Sequence, residues 1–340
     1  MQRRALLPLA FAVFAILLAP TDSLVAQEAP APAAGVRTLG VATLAPAGSV
    51  IADGLNAWNR ELRRRTGGSL QFRFYMGGVQ GDDPEVVRKI RSGRLDGGTL
   101  TSTGLGAIYR PSLVFQLPAT FLHYEQLDAA RTALQPEIDA GIIAAGFRML
   151  GWADVGQARL FSHTRIAVPS DLRGTHLWVR DDDTILPAFV SRVGTTGVEL
   201  GVTEVLGAIQ TGRVDTFLAP PAVAIALQWS SHATYMNEIP MSIVIGGMVI
   251  SETTYQSLTP EQQTALTETG ADFHRLGRRN SRRMESQSME ALTSRGIQLV
   301  TTTEAERNQW RTLGREVRDA VASQIASPDL VARAVAFGEH

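Results

Sequence analysis

The stretch VPSDLRGTHLWVR, residues 168–180, decides the fold class. Val168 to Gly174 reads as a turn, with proline presetting its first bend and glycine releasing its last. His176–Arg180 then reads as a strand. Its period of two sends Leu177 and Val179 to one face and His176, Trp178 and Arg180 to the other. Three aspartates, Asp181–Asp183, lead into a helical pattern that runs to about Val193. Aspartate between a strand and a helix accepts hydrogen bonds from free N–H groups and meets the positive end of the helix dipole. Pro187 suits the first turns of that helix. The competing reading, a calcium or magnesium site, needs six or more converging oxygens.

Working outward, strand and helix patterns alternate along the chain, the signature of an α/β protein. The segment 37–45 reads as a strand, Ser49–Arg65 as a helix stopped by Gly67 and Gly68, and 70–76 as a strand with Leu70, Phe72, Phe74 and Met76 on one face. A helix over 83–93 opens with Asp-Pro and ends at glycine, and a strand over 94–102 follows. Further on, 147–154, 158–163, 214–219, 243–251 and 297–302 read as strands, and 203–212, 260–295 and 304–321 as helices. IRSGRLDGG at 90–98 is echoed by IQTGRVDTF at 209–217, either by chance or as a common helix–turn–strand joint, or because two halves share their wiring.

The chain has 340 residues, 44% hydrophobic and 19% charged, with a net charge of −1. That is enough for two domains of ordinary size, and it gives no general reason to expect a nucleic-acid partner. Cysteine is absent, which excludes disulfides, thiolate metal sites and thiol catalysis. Residues 1–26 resemble a cleavable secretory signal: Arg3 and Arg4, an apolar run over 5–19, and Leu-Val-Ala at 24–26. Ala/Pro-rich residues 27–36 read as a disordered leader. An exported, periplasmic protein is expected.

Signs of an enzyme are missing. The six histidines are scattered without helix-ligand spacing, so no metal site is expected. There is no phosphate-binding loop, and Ser102 lacks the glycine that a nucleophile elbow requires two residues before it. The glycines near Gly97 and Gly104 lack dinucleotide-loop spacing. Neither a catalytic residue nor a cofactor is expected. On the long helical pattern, Arg275, Arg278, Arg279, Arg282 and Arg283 share one face, either a solvated surface or a contact for an acidic partner.

Three segments carry a family resemblance: 75–98 (YMGGVQGDDPEVVRKIRSGRLDGG), 168–180, and 203–215 (TEVLGAIQTGRVD), supported by 258–266 (LTPEQQTAL). The chain resembles the dicarboxylate-binding (DctP-type) solute receptors of tripartite ATP-independent periplasmic (TRAP) transporters. The resemblance implies a two-lobed periplasmic binding protein fold, with a ligand cleft between the lobes, crossing strands and a long lobe-spanning helix. It implies lobe I from 37–156 plus 246–283 and lobe II from 157–245 plus 284–340. The partners it implies are a small-molecule ligand and the small and large TRAP membrane subunits.

In typical members an arginine within an Asp-Leu-Lys-Gly-x-Lys-Ile-Arg-Val pattern grips a ligand carboxylate. The same pattern over 171–179 puts Trp178 at that arginine's position. A second family arginine, on the preceding strand, is matched here by Arg159. The asparagine of a Val-Asp-Gly-x-x-Asn-Pro pattern becomes Ala219, next to Pro220, and a neighbouring glutamine position holds Phe217. Guanidinium groups bind carboxylates through two charge-assisted bonds, whereas an indole supplies apolar area and a single donor. The replacements therefore point to a ligand with a substantial apolar part. A conventional carboxylate ligand stays open through Arg159, or through Arg180 if the strand end bends. Topology adds Leu44, Thr101 and Ser102 as cleft candidates, and Trp152 as a residue of either the cleft wall or the core.

Overall fold

The computed structural model describes residues 35–338. The expected signal sequence, residues 27–34 of the expected leader, and His340 lie outside the described residues. The first half contains β1 (Arg37–Ala42), α1 (Val50–Arg65), β2 (Leu70–Tyr75), α2 (Asp83–Arg91), β3 (Gly97–Thr101), α3 (Ser102–Ile108), α4 (Tyr124–Ala144) and β4 (Phe147–Ser162). The chain continues with β5 (His176–Arg180), α5 (Leu186–Val193), β6 (Thr196–Leu200), α6 (Val205–Gln210), β7 (Thr216–Ala219), α7 (Pro221–Ala226) and β8 (Tyr235–Asn237). It closes with β9 (Ser242–Ser251), α8 (Glu252–Gln256), α9 (Pro260–Ser294), β10 (Gln298–Val300), α10 (Glu304–Ile325) and α11 (Pro328–Ala336).

Local chemistry sets these boundaries. Ser49 accepts the Ala52 N–H at the start of α1, and Asp82 accepts the Asp83 N–H at the start of α2. At the start of α9, Thr259 and Gln262 form a reciprocal capping box with Pro260 at the first helical position. Asp183 Oδ1 accepts the Ile185 and Leu186 N–H groups at 2.7 Å each, so one member of the aspartate triplet starts α5.

The sheet path runs β2–β1–β3–β9–β4–β7–β5–β6, with β8 pairing β4 and β10 pairing β8. The parallel β2–β1–β3 set and the parallel β7–β5–β6 set form two units. Both units share the antiparallel β4–β9 pair, which runs from Phe147–Ser251 to Ala158–Ser242 with register shifts between Met149 and Gly151 and between Asp154 and Gly156. The expected separate strands 147–154 and 158–163 are thus one crossing strand of 16 residues, about 50 Å at strand rise. The 35-residue α9 has about the same reach. The 90–98 and 209–217 echo reflects one joint used twice. Gly93 and Gly212 end their helices at φ 72° and 73°, where glycine carries no side-chain penalty. Asp96 then accepts the Gly40 N–H of β1, and Asp215 accepts the His176 N–H of β5.

Two apolar layers flank each unit. Leu39, Leu55, Trp58, Leu62 and Phe72 lie on one side of the first, and Ile90, Phe115, Leu127, Ile138 and Trp152 on the other. In the second unit Phe161, Trp178, Phe217 and Trp229 oppose Leu160, Leu177, Phe189 and Trp310. The C-terminus crosses over: Val321, Ile325, Leu330 and Ala334 pack with Leu127 and Phe115 in the first unit's core. The arginine face of α9 also divides. Arg278 donates to the Trp152 carbonyl and Arg282 binds Asp128 and Asp154, leaving Arg275, Arg279 and Arg283 exposed.

His274 on α9 is buried against Trp58 and donates from Nδ1 to the Gly270 carbonyl at 2.8 Å. Burial, reinforced by Arg278 and opposed by that carbonyl, lowers its pKa to about 4. The unfolded chain takes up this proton near the usual imidazole pKa, so the stabilising contribution is complete above about pH 6.5 and is lost as pH falls towards 4. The loss amounts to roughly 3 kcal/mol. A His274→Leu variant is therefore expected to show a flatter stability profile between pH 6.5 and 4, checked by urea unfolding at stepped pH.

Candidate functional site

A cavity of about 1540 Å³ runs between the two units, more than the roughly 300–1,000 Å³ of an ordinary small-molecule pocket. Ala158 of β4 and Val244 and Gly246 of β9 line its floor. Leu44, after β1, and Thr101 and Ser102, at the β3–α3 junction, line the first unit's wall. Trp178 and Arg180 of β5, with Ala219 and Pro220 after β7, line the opposite wall. These are strand ends, where open α/β sheets bind ligands. Val50, Ile51 and Leu276 are exposed at the rim and lend the opening an apolar character.

Trp178 is 5% exposed. Its indole Nε1 donates to the Leu200 carbonyl at 3.0 Å, and its ring meets Trp229 edge-on at 4.9 Å. The one polar group of the indole is thus satisfied by the protein, and only carbon is left to face the cavity. Trp229 also lines the cavity. It was missed in the sequence because it sits in a single 3-10 turn at 229–232, without strand or helix periodicity.

Three of the ten expected residues, Arg159, Phe217 and Trp152, do not line the cavity. Arg159 does not line the cavity; its neighbour Ala158 does. The arginine donates to the Glu238 carbonyl and lies 3.5 Å from Glu285. Burial lowers its pKa, with Glu285 opposing. Phe217 is also displaced from the wall, stacked on Phe161 at 5.1 Å and covered by Trp229. Trp152 belongs to the core, donating to Asp139 at 2.9 Å with Phe115 against its ring.

Arg180 reaches the cavity but is already engaged. Its Nη1 bonds Thr101 Oγ1 and its Nη2 bonds Asp82, with Asp83 at 3.3 Å. Burial lowers its pKa, and the charges of Asp83, Asp82 and Asp183 more than offset that, for a net rise. It is a bridge between the two units rather than a free clamp. Thr101, Ser102, Leu44, Ala219 and Pro220 lie on the wall as expected.

A ligand-sized cavity between two α/β units sharing crossing strands is the architecture of a binding receptor. Residues 41–324 match the family model of the bacterial extracellular solute-binding proteins, family 7 (DctP). The chain belongs to this family. A relative, a solute-binding protein of Sulfitobacter sp., is 23% identical over 267 residues, 78% of this chain and 80% of the relative. Among solved structures, a TRAP periplasmic solute-binding protein of Ralstonia eutropha with bound (S)-2-acetolactate superposes with a TM-score of 0.83 at 21% identity. The match covers 89% of this chain and 98% of that one. A TRAP periplasmic solute-binding protein of Shewanella oneidensis with bound succinate also gives 0.83, at 17% identity, covering 89% and 99%. The two-lobed family fold is therefore the fold of this chain. No helix among the described residues is long and apolar enough to cross a membrane.

Proposed function

We propose that this protein is the periplasmic substrate-binding subunit of a TRAP transporter. It captures an organic acid or other solute with a substantial apolar part and delivers it to the small and large membrane subunits. The signal sequence read at residues 1–26 accounts for export. The lobe division read from the sequence is part of this proposal, with one change: residues 321–338 are assigned to lobe I, since Val321, Ile325, Leu330 and Ala334 pack in its core.

One observation carries the ligand class. At two positions where the family's polar grip is expected, Trp178 and Ala219 present carbon to the cavity; Arg159, at a third, is not on the cavity wall, and Arg180 is occupied by Asp82. Apolar ligand surface buried against such walls gains roughly 25 cal/mol per Å². The second reading, a small polar carboxylate, draws on the succinate and acetolactate bound by the similar structures. A thermal-shift series decides between them. Octanoate, phenylacetate or isovalerate at millimolar concentration is expected to raise the melting temperature by several degrees, and succinate and malate to leave it unchanged. Stabilisation by succinate or malate alone would overturn the apolar class. No response to any acid would favour a sensing or scaffold role without transport.

A further inference from the structure

We infer that Asp82 is a specificity-determining residue: it occupies the Arg180 guanidinium with a carboxylate of the protein itself and so keeps small carboxylates out of the cleft. Asp82 caps α2 on lobe I, and Arg180 ends β5 on lobe II. Asp82 Oδ1 takes the Arg180 Nη2 hydrogen bond, while Oδ2 takes the Val202 N–H at 2.7 Å, also from lobe II. A guanidinium and a backbone N–H converging on two carboxylate oxygens is the recognition geometry an anionic ligand would meet. Thr101 Oγ1 completes the site by accepting from Arg180 Nη1 while donating to Asp83 at 2.6 Å.

The consequences are electrostatic and steric. The Arg180 and Asp82 side chains are 11% and 16% exposed, so the pair is poorly screened and a competing carboxylate must displace Asp82 rather than add to it. Asp83, 1% exposed, cannot take over the whole task, because the Thr101 N–H and hydroxyl already bind its Oδ2. Arg180 Nε has no partner among the described residues. Without Asp82 the guanidinium would therefore offer donors to a ligand. The lobes are also joined by Asp82 itself, so closure needs no charge from the solute. This deepens the proposed function and rests on the same cleft being the ligand site.

The test is calorimetric titration of succinate and of acetate into the natural chain, Asp82→Ala and Asp82→Asn. Asparagine keeps the shape and an acceptor for Val202, so it serves if the alanine variant does not fold. At least tenfold tighter succinate binding than in the natural chain is expected, and Arg180→Gln in the same background should abolish the gain. A cooperatively melting Asp82 variant with no gain would overturn the proposal, as would a gain that survives loss of Arg180. The apolar-ligand reading fails separately, on the natural chain's response to apolar acids.

Discussion

Asp154→Ala is expected to lower stability by about 3–5 kcal/mol, the cost of removing one partner from a buried ion pair. At this chain length that is a fall in melting temperature on the order of 10 °C. Asp154 sits on β4 with its side chain fully buried. Its Oδ1 accepts from Arg131 at 2.7 Å, and its Oδ2 accepts from Arg282 at 2.9 and 2.6 Å. Arg282 also grips Asp128 with two bonds, at 2.6 and 2.7 Å. Two cations and two carboxylates thus tie α4, the crossing strand and the long helix together where the lobes meet. Alanine would leave both guanidinium groups with Asp128 alone, and Arg131, 5% exposed, could not reach enough water to compensate. Chemical unfolding followed by circular dichroism measures the loss. A change below 1 kcal/mol would mean that the network is nearly neutral and that the apolar layers alone hold the crossing.

The same crossing shows where sequence stops being a guide. Strands and helices with a dominant local cause were legible: Leu70 and Phe72 alternate into the core, and Pro260 opens α9 inside a capping box. The stretch between 103 and 146 carried no expectation. Part of the reason is that α4 contains Pro136, so its pattern speaks against itself. Within the site, residues at or just after a strand end, such as Thr101 and Ala219, lie on the cavity wall; Arg159 does not. It is matched through the family pattern, and that pattern does not show that the Glu238 carbonyl and Glu285 hold its guanidinium. Nor does any local pattern announce that Asp82 and Arg180, 98 residues apart, close on each other. That pairing exists only once the lobes face one another.

Trp178→Ala is expected to weaken binding of apolar acids by at least tenfold and to cost about 3–5 kcal/mol of stability, as truncation of a buried tryptophan does. The two effects have different origins and can be separated. Stability falls because the Leu200 carbonyl loses its donor and Trp229 loses the ring it meets edge-on. Affinity falls because the indole is part of the cavity wall itself. Phe217→Leu supplies the control: it disturbs the same aromatic layer through the Phe161 stack, but it lies behind Trp229 and off the wall. That variant is therefore expected to melt earlier yet to bind octanoate within about twofold of the natural chain. Calorimetric titration of octanoate into the three proteins, at a temperature where all are folded, measures the difference. Equal affinity losses in both variants would reduce Trp178 to a packing residue. Loss in Trp178→Ala alone would show that an indole, whose only N–H is spent inside the protein, has replaced a charged grip with a carbon surface.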